Sequence, residues 1–386
     1  YYNGPVPQGE PVQVRTDRTV NFNWIFALPH PELDANCFSV AWTGSVMMPK
    51  TMDGCIGLST QDSMRLYVDD KLLIDGWGKD KSADQALDFH FEAGRTYKIR
   101  IEFVNDRRGA RVIFGYSAGR ENFPAAVEAA RKADVAILCM GDNEETSGEN
   151  FDRTDLNLPG RQLELVQAVY ATGTPVVLVL QSGRPVTANW ENDHLPAILE
   201  AWFPGEQGGT AIAKTLFGDA APGGRLPITF PRSVGQIPCH YSRRPGGGKR
   251  YVEMDWLPLY PFGYGLTYTT FAYRDMALSR SVIDPQDTVT VSVTVTNTGK
   301  YTGDAVPQLY VRDMFSSVVK PERQLAAFRR LTLAPGESRR VELTVGPKQL
   351  RTLGPDYVWR VEPGKFELQL GDNAENILLR ADLTVE

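Results

Sequence analysis

The sequence has few of the residues that mark metal-binding and disulfide-rich proteins. Its four cysteines, Cys37, Cys55, Cys139 and Cys239, include no C-x-x-C pair, which argues against a zinc framework. Cys37 and Cys55 could still pair with each other. The four histidines show no metal-ligand spacing either. The sequence therefore implies no metal site and no cofactor.

Long apolar runs and clusters of positive charge are also missing. No hydrophobic stretch approaches the roughly 18 residues that a membrane-spanning helix needs, so no membrane span is predicted. The chain carries 47 acidic and 41 basic residues, mixed along its length, for a net charge of −6. Because it lacks the basic stripe typical of nucleic-acid-binding proteins, no nucleic acid partner is expected.

The patterning that is present divides the 386 residues into three segments, as expected for a chain of two or three domains. Residues 1–118 and 267–386 alternate apolar and polar side chains, as in 64–69 and 289–295. This period of two is typical of antiparallel strands with one face in water. The strand spacing and Pro-Gly turns of the last segment favour a β-sandwich.

Residues 119–266 instead alternate helical patterns with continuous apolar runs. Pro124 can open a helix that runs to Lys132, and Gly173 can close a second one. The helices are expected at 124–132, 163–170 and 207–217, and the buried strands at 135–140, 176–180 and 197–202. Strands buried on both faces and separated by helices predict a mostly parallel sheet. The fold class is therefore multidomain, α/β plus all-β.

An irregular connection occupies residues 232–266, which are rich in proline, glycine and aromatic side chains. Apolar side chains in such a segment need burial, so we expect it to be anchored. The residues concerned are Trp256, Leu257, Tyr260, Phe262 and Tyr264.

The most informative stretch is 141–153, which directly follows a buried strand and contains several carboxylates. Ligands bind at the carboxyl ends of strands in open α/β sheets, so this loop is a candidate acid/base site for a polar substrate. A simpler interpretation also fits. Asp142, Glu144 and Glu145 are then solvated loop charges, and Asp152 pairs with Arg153.

Four motifs, in order along the chain, resemble those of glycoside hydrolase family 3. They are SGENFDR followed by LNLPGRQ (147–153 and 156–162), WFPGEQGG (202–209), GDAAPGGRLP (218–227) and PFGYGLTYT (261–269). The resemblance places the general acid/base on Glu149. Asn150 departs from the family pattern, in which glycine is more usual. The last motif precedes a fibronectin type III-like domain in many members.

The first segment resembles the β-barrel module named after anthrax protective antigen, through 61–70 (QDSMRLYVDD) and 74–77 (IDGW). Lectin versions of this module bind calcium through an Asp-Asp pair, where this chain has Gln61 and Asp62. That difference disfavours a calcium site, because hard cations need several anionic oxygens. In family members the module can wall the sugar pocket. Trp77 could serve there, although a core position is the simpler expectation.

The resemblance implies three domains: a β-barrel module (1–118), a partial α/β sandwich with the acid/base loop (119–266) and a fibronectin type III-like β-sandwich (267–386). It implies an exo-acting retaining β-glycosidase, foremost a β-glucosidase acting on an oligosaccharide or β-glucoside, with β-xylosidase as the first alternative. A non-catalytic carbohydrate-binding protein is the alternative from another class. The family's nucleophilic aspartate lies on a (β/α)₈ barrel, expected upstream as a second chain. A homodimer is left open.

Overall fold

The computed structural model describes residues 1–24, 27–60, 62–78, 83–105, 111–118, 123–144, 146–246 and 251–386. The chain forms two compact units, Tyr1–Pro124 and Ala125–Glu386. Each unit is built around cores of its own. Among the helices of the described ranges, none combines the length and the apolar character needed to cross a membrane.

The first unit consists of antiparallel strands. They are β1 (Tyr2–Asn3), β2 (Asn21–Asn23), β3 (Phe38–Met47), β4 (Met52–Thr60), β5 (Ser63–Val68), β6 (Lys71–Asp75), β7 (Ala83–Phe91), β8 (Thr96–Asn105) and β9 (Arg111–Ala118). One sheet has the order β1-β3-β8-β5-β6, and the other has the order β2-β9-β4-β7. The β5–β6 turn has positive φ at Asp69 and Asp70, as a type I′ hairpin requires.

The described strands of this unit form two sheets instead of the closed barrel that the sequence analysis expects. The alternating pattern explains the arrangement, because each sheet has one apolar face to bury. Ile56 of one sheet and Leu66 and Ile101 of the other lie in a common core. A second core joins the sheets through Phe38, Phe103 and Val112. A Cys37–Cys55 disulfide is not formed, since Cys55 is a free thiol.

The second unit begins with helices and strands in alternation. These are α1 (Pro124–Arg131), β10 (Ala136–Gly141), α2 (Gln162–Tyr170), β11 (Val176–Gln181), α3 (Asn189–His194), β12 (Ala197–Glu200) and α4 (Gly208–Leu216). The strands form a parallel sheet in the order β10-β11-β12, which confirms the predicted parallel pairing. Val166 and Val169 of α2 pack with Leu178 and Leu180 of β11 in its core.

The sequence pattern predicted three of these helices and all three strands to within about two residues. Helix α3 was not predicted, because six residues of sequence NWENDH are too short to show a helical period. The third apolar run was expected to extend to Trp202. Strand β12 stops at Glu200 instead, and Trp202 has a φ of 53°, which a strand cannot accommodate.

The connection at 232–266 contains a single 3₁₀ turn, Val234–Gln236, among its described residues. The expectation of buried aromatic residues holds for Phe262 and Tyr264, which are partly buried. It is wrong for Trp256, which remains 40% exposed. The Trp256 ring packs instead against the guanidinium of Arg243, whose Cζ lies 4.6 Å from the ring centre.

The remainder of the second unit is a sandwich of antiparallel sheets. Its elements are β13 (Phe271–Leu278), β14 (Val282–Ile283), β15 (Val289–Asn297), β16 (Gly303–Ala305), β17 (Gln308–Asp313), β18 (Gln324–Phe328), β19 (Leu331–Leu333), β20 (Ser338–Val345), α5 (Pro347–Leu350), β21 (Thr352–Leu353), β22 (Trp359–Arg360), β23 (Gly364–Gly371) and β24 (Ile377–Val385). The main sheets are β13-β15-β20 and β14-β24-β23-β17-β18, in which only the short β14 runs parallel to its neighbour among the described strands. The alternating valines of β15 fill the core between them.

Candidate functional site

The loop that carries Glu149 starts at Gly141, the last residue of β10. Gly141 has a φ of 140°, and a Cβ there would overlap the carbonyl oxygen of Gln181 on β11. The side-chain amide of Gln162, the first residue of α2, bonds to both backbone groups of Gly141. The Gly141 N–H donates to Oε1 at 2.7 Å, and Nε2 donates to the Gly141 carbonyl at 2.8 Å. Strand end and helix start are therefore fixed to each other.

Asp142 is the electrostatic centre of the loop. Its side chain is 4% exposed, and its Oδ1 lies 3.3 Å from Arg153 Nη1 while its Oδ2 lies 3.6 Å from Arg184 Nε. The Thr146 hydroxyl also donates to Oδ1 at 2.9 Å. The interpretation of Asp142 as a solvated charge is therefore wrong. The chain positions two arginines against it, and charge pairing makes its burial tolerable.

Arg153 and Arg184 link this buried carboxylate to the rest of the loop. Arg153 also pairs with Asp155 at 3.3 Å, not with Asp152 as the simpler interpretation supposed. Arg184 donates from Nη2 to the carbonyl oxygens of Thr146 at 3.3 Å and Phe151 at 3.4 Å. These two carbonyls flank Glu149. One guanidinium therefore fixes both ends of the segment that presents the glutamate.

Glu149 lies in a tight turn at the loop tip. The Phe151 N–H donates to the Gly148 carbonyl at 3.2 Å, which closes the turn around Glu149 and Asn150. Asn150 has a φ of 64°, in the left-handed region that glycine adopts most easily and asparagine tolerates. This explains why a glycine suits the position and why Asn150 can replace it. Glu149 and Glu144 are both exposed. Glu145 lies outside the described residues.

An exposed aromatic ring lies beside the loop. Phe203 is 53% exposed, and its ring approaches Gly183 so closely that a Cβ at Gly183 would lie 2.8 Å from the ring and 3.1 Å from Ser147 Oγ. A side chain there would force the Phe203 ring or the Ser147 hydroxyl to move. Gly183 thus allows Phe203 and the loop to pack against one backbone.

A buried carboxylate ends the third strand. Glu200 Oε1 accepts the Trp202 N–H at 2.9 Å, whereas Oε2 has no hydrogen-bond partner among the described residues. Burial raises the pKa of Glu200 to about 7, although the Trp202 N–H acts in the opposite direction. The carboxyl ends of β10, β11 and β12 thus lead directly into Asp142, Arg184 and Glu200.

Sequence reasoning missed Arg184 and Glu200, and it gave Gln162 no role. A signal for the first two was present. Both follow apolar runs that become neighbouring parallel strands, and the carboxyl ends of such strands meet at one edge. The role of Gln162 could not be read from the sequence, because it depends on how α2 packs at the end of β10.

The space enclosed next to the loop is small. Asp142, Arg153, Asn157 and Arg184 are among the residues that line a cavity of about 10 Å³. That is roughly the room needed for one water molecule. Glu149 is not among the residues that line this cavity.

The remaining predicted site residues belong to the first unit. Trp77 is partly buried on the turn after β6, with Arg65 Cζ 4.8 Å from its ring centre, and it is not a member of the apolar core clusters. Gln61, on which the calcium argument depends, lies outside the described residues. Within the described part, no group of three or more His, Cys, Asp or Glu side chains could hold a metal ion.

Fold and site together define a multidomain protein with an anchored candidate acid/base loop at the carboxyl edge of a parallel sheet. Residues 31–268 match the glycosyl hydrolase family 3 C-terminal domain, and residues 305–374 match a fibronectin type III-like domain. The chain therefore belongs to glycosyl hydrolase family 3. The resemblance found in the four motifs is confirmed at the level of the family. The protective-antigen likeness of the first segment stays a prediction.

Relatives with established names are similar over most of the chain. A β-xylosidase of Formosa agariphila is 45% identical over 75% of this chain and 42% of its own length. A β-glucosidase of Rhizobium radiobacter is 34% identical over 100% of this chain and 51% of its own length. A crystal structure of a β-glucosidase from Kluyveromyces marxianus superposes with a TM-score of 0.74 at 27% identity, covering 98% of this chain and 48% of that one. The chain thus spans about half or less of the relatives that it matches.

Proposed function

We propose that this chain supplies the proton-transferring part of an exo-acting retaining β-glycosidase, with Glu149 as the general acid/base. The substrate we propose is a terminal, non-reducing β-D-glucosyl residue. The observation that carries the proposal is the anchored loop: an exposed carboxylate at the tip of a segment that Arg184 and Gln162 hold in place. Family membership and the names of the relatives support it.

The chemistry requires two carboxyl groups in different roles. In a retaining glycosidase they stand about 5–5.5 Å apart, one attacking the anomeric carbon and the other protonating the leaving oxygen. Glu149 is exposed and lies in no ion pair among the described residues, so its carboxylate is available to a substrate. Asp142 is unsuited to either role, because Arg153 and Arg184 neutralise it. We propose that the nucleophile is an aspartate of a (β/α)₈ barrel outside this chain.

Two structural features are compatible with such a second part. Glu149 is exposed and lines neither described cavity, so we propose that further walls of the sugar pocket come from outside this chain. Val135 and Ile137, at the start of the edge strand β10, are 48% and 45% exposed. Parallel sheets normally have both faces covered, so this apolar surface fits a contact with the rest of the enzyme. We also propose Trp77 as a sugar-binding residue.

A β-xylosidase is the second candidate, favoured by the name of the relative that is 45% identical. The two sugars differ by one hydroxymethyl group, and no described residue discriminates between them. Comparing aryl β-glucosides with aryl β-xylosides on the complete enzyme separates these candidates. A non-catalytic carbohydrate-binding protein would hydrolyse neither.

The decisive experiment combines this chain with the barrel portion and follows the anomer formed first by NMR. We expect the β-anomer from the complex and no hydrolysis by the chain alone. Turnover by the isolated chain, or an initial α-anomer, contradicts the proposal.

The role of Glu149 is tested by Glu149→Gln in the same complex. Proton donation is worth typically 10²–10⁴-fold and matters most for a basic leaving oxygen. Hydrolysis of alkyl glucosides should therefore fall far more than that of activated aryl glucosides, with rescue by azide on the latter. Glu144→Gln, an exposed carboxylate of the same loop, is the matched control and should retain activity. Equal losses on both substrates without azide rescue would falsify the assignment.

A further inference from the structure

A second cavity, of about 280 Å³, lies in the second unit and includes no residue of the Glu149 loop. Its walls come from the irregular connection at 232–262 and from the sandwich. The side chains that define it are Gln236, Tyr241, Arg243, Arg244, Trp256 and Glu375. The volume is near the lower end of small-molecule sites, which span roughly 300–1,000 Å³. It suits one sugar-sized ligand.

The backbone around this cavity is held in place by Gln236, which is buried. Its Nε2 donates to the carbonyl oxygens of Asp255 at 3.3 Å and Trp256 at 3.2 Å, and its Oε1 accepts the Arg232 N–H at 2.6 Å. The Tyr251 hydroxyl adds a bond to the Gly235 carbonyl at 3.1 Å. The two segments that form the walls are therefore tied together before any ligand arrives, which lowers the entropic cost of binding.

The polar side chains of the wall are also fixed. Arg243 Nη1 donates to Glu375 Oε1 at 2.8 Å, and its Nε lies 3.4 Å from Glu322 Oε2. The same guanidinium stacks on Trp256. Tyr241 stacks on Phe262 with ring centres 4.2 Å apart. Aromatic surface and hydrogen-bonding groups thus converge on one cavity in defined orientations.

We propose that this cavity is a non-catalytic binding site for a neutral pyranose sugar. A pyranose ring has C–H faces that pack on aromatic rings and hydroxyl groups that both donate and accept hydrogen bonds. The part of the Trp256 ring that Arg243 leaves exposed offers the first kind of contact. Ser242 and Arg244, which also line the cavity, offer donors and acceptors for the second. Glu375 and Glu322 pair with Arg243, although Glu375 is also shared with Arg323, so the cavity has no large excess of positive charge and a neutral ligand fits it better than an anion.

The test uses the full chain and D-glucose as the probe, with saturation-transfer NMR and calorimetric titration. Trp256→Ala should weaken glucose binding about tenfold or more, because the apolar face of the sugar loses its platform. Trp359→Ala is the matched control. Trp359 is 54% exposed, and its ring centre lies 4.5 Å from Arg351 Cζ, an arrangement like that of Trp256 and Arg243. Trp359 lines neither described cavity. Equal glucose affinity in the two variants overturns the proposal.

A second measurement on the unaltered chain does not depend on how a variant folds. The Cys239 thiol lines the cavity, whereas Cys139 is exposed on β10. Glucose should slow alkylation of Cys239 and leave that of Cys139 unchanged. If inorganic phosphate protects Cys239 and glucose does not, the cavity binds anions and the sugar proposal is wrong. If neither probe protects Cys239, the cavity is not a binding site for either ligand. Trp256→Ala should leave glycoside hydrolysis by the complete enzyme intact, so this test is independent of the role of Glu149.

Discussion

The side-chain amide of Gln162 forms two hydrogen bonds with the backbone of Gly141, one as donor and one as acceptor. They lie 21 positions apart in the sequence, and the whole Glu149 loop lies between them. The pair closes the base of this loop in the same way that two strand residues pair across a sheet. Because the loop starts and ends at this contact, one polar side chain of α2 closes its base, while Arg153 and Arg184 hold the segment above it.

Gln162→Leu should open the base of the loop. Both backbone groups of Gly141 lose their partner, and an unsatisfied buried group costs about 1–3 kcal/mol. We expect a lower melting temperature of the full chain and a fall in kcat of the complete enzyme. Gln167→Leu, on an exposed position of the same helix, is the control and should change neither. Unchanged kcat in Gln162→Leu would argue against a role for the clamp.

Arg184→Lys should lower kcat more than it raises KM. Lysine keeps the charge beside Asp142 but cannot reach the Thr146 and Phe151 carbonyls together, because it lacks the planar fork. Misplacement of a catalytic group by about 1 Å costs on the order of 100-fold, which we take as the upper limit of the effect. Arg131→Lys, in an exposed pair with Glu128, serves as the control. Steady-state kinetics on an aryl glucoside measures both, and a pure KM effect would contradict a positioning role.

Gly183→Ala should disturb the packing between Phe203 and Ser147. The added methyl group would lie 2.8 Å from the Phe203 ring, so the ring or the loop must shift. Since the Phe203 ring is exposed and can shift, we expect a destabilisation of at most about 1 kcal/mol, the low end of the cost of overpacking, together with reduced activity. Gly209→Ala on α4 is the matched control, since a Cβ there meets nothing within 4 Å. Chemical denaturation of both variants gives the comparison.

Glu200 predicts a specific pH dependence of stability. Burial raises its pKa to about 7, whereas the same carboxyl in the unfolded chain has a pKa of 4.5. Between these two pH values the folded chain therefore keeps a proton that the unfolded chain has released. The contribution is therefore present below about pH 4.5, declines between 4.5 and 7, and is lost above 7. At about 1.4 kcal/mol per pKa unit it amounts to roughly 3 kcal/mol.

Glu200→Gln should abolish this dependence. The variant should gain melting temperature relative to the parent at pH 8 and gain none at pH 5. Glu206→Gln removes an exposed carboxylate a few residues away and is the control. If the melting temperatures of variant and parent differ by the same amount at both pH values, Glu200 does not titrate in this range.

The sequence predicted the parallel sheet because its strands are continuous apolar runs. It predicted α1, α2 and α4 because each helix is long enough to show a helical period of apolar residues. In the first unit it predicted antiparallel strands from the alternation at positions such as 64–69, but not that the strands form two sheets. Alternation along a strand shows which face is apolar and does not show which strand pairs with which. The pairing of β4 with both β7 and β9 is a non-local choice of this kind.

For the candidate site, the sequence identified the loop but not what holds it. The carboxylates of 141–153 looked alike as solvated charges, yet Asp142 is buried between two arginines while Glu144 is exposed. One partner of Asp142, Arg184, lies 42 positions further along the chain, three residues after the end of the neighbouring strand β11. Only the parallel register brings them together. The burial expected for Trp256 was wrong for a similar reason. Its ring packs on the Arg243 guanidinium and not in a core, and the sequence does not show that contact.

The anchors of the Glu149 loop, Gln162, Arg153 and Arg184, all belong to the same stretch of sequence as the loop itself. The proposed proton donor and the side chains that anchor its loop therefore all lie within residues 141–184. Joining this stretch to the barrel of a relative with another sugar preference should transfer the donor with its geometry intact, and the barrel would then determine which sugar is cleaved. Sugar specificity and proton transfer could thus change independently during evolution, because they would depend on different parts of the enzyme.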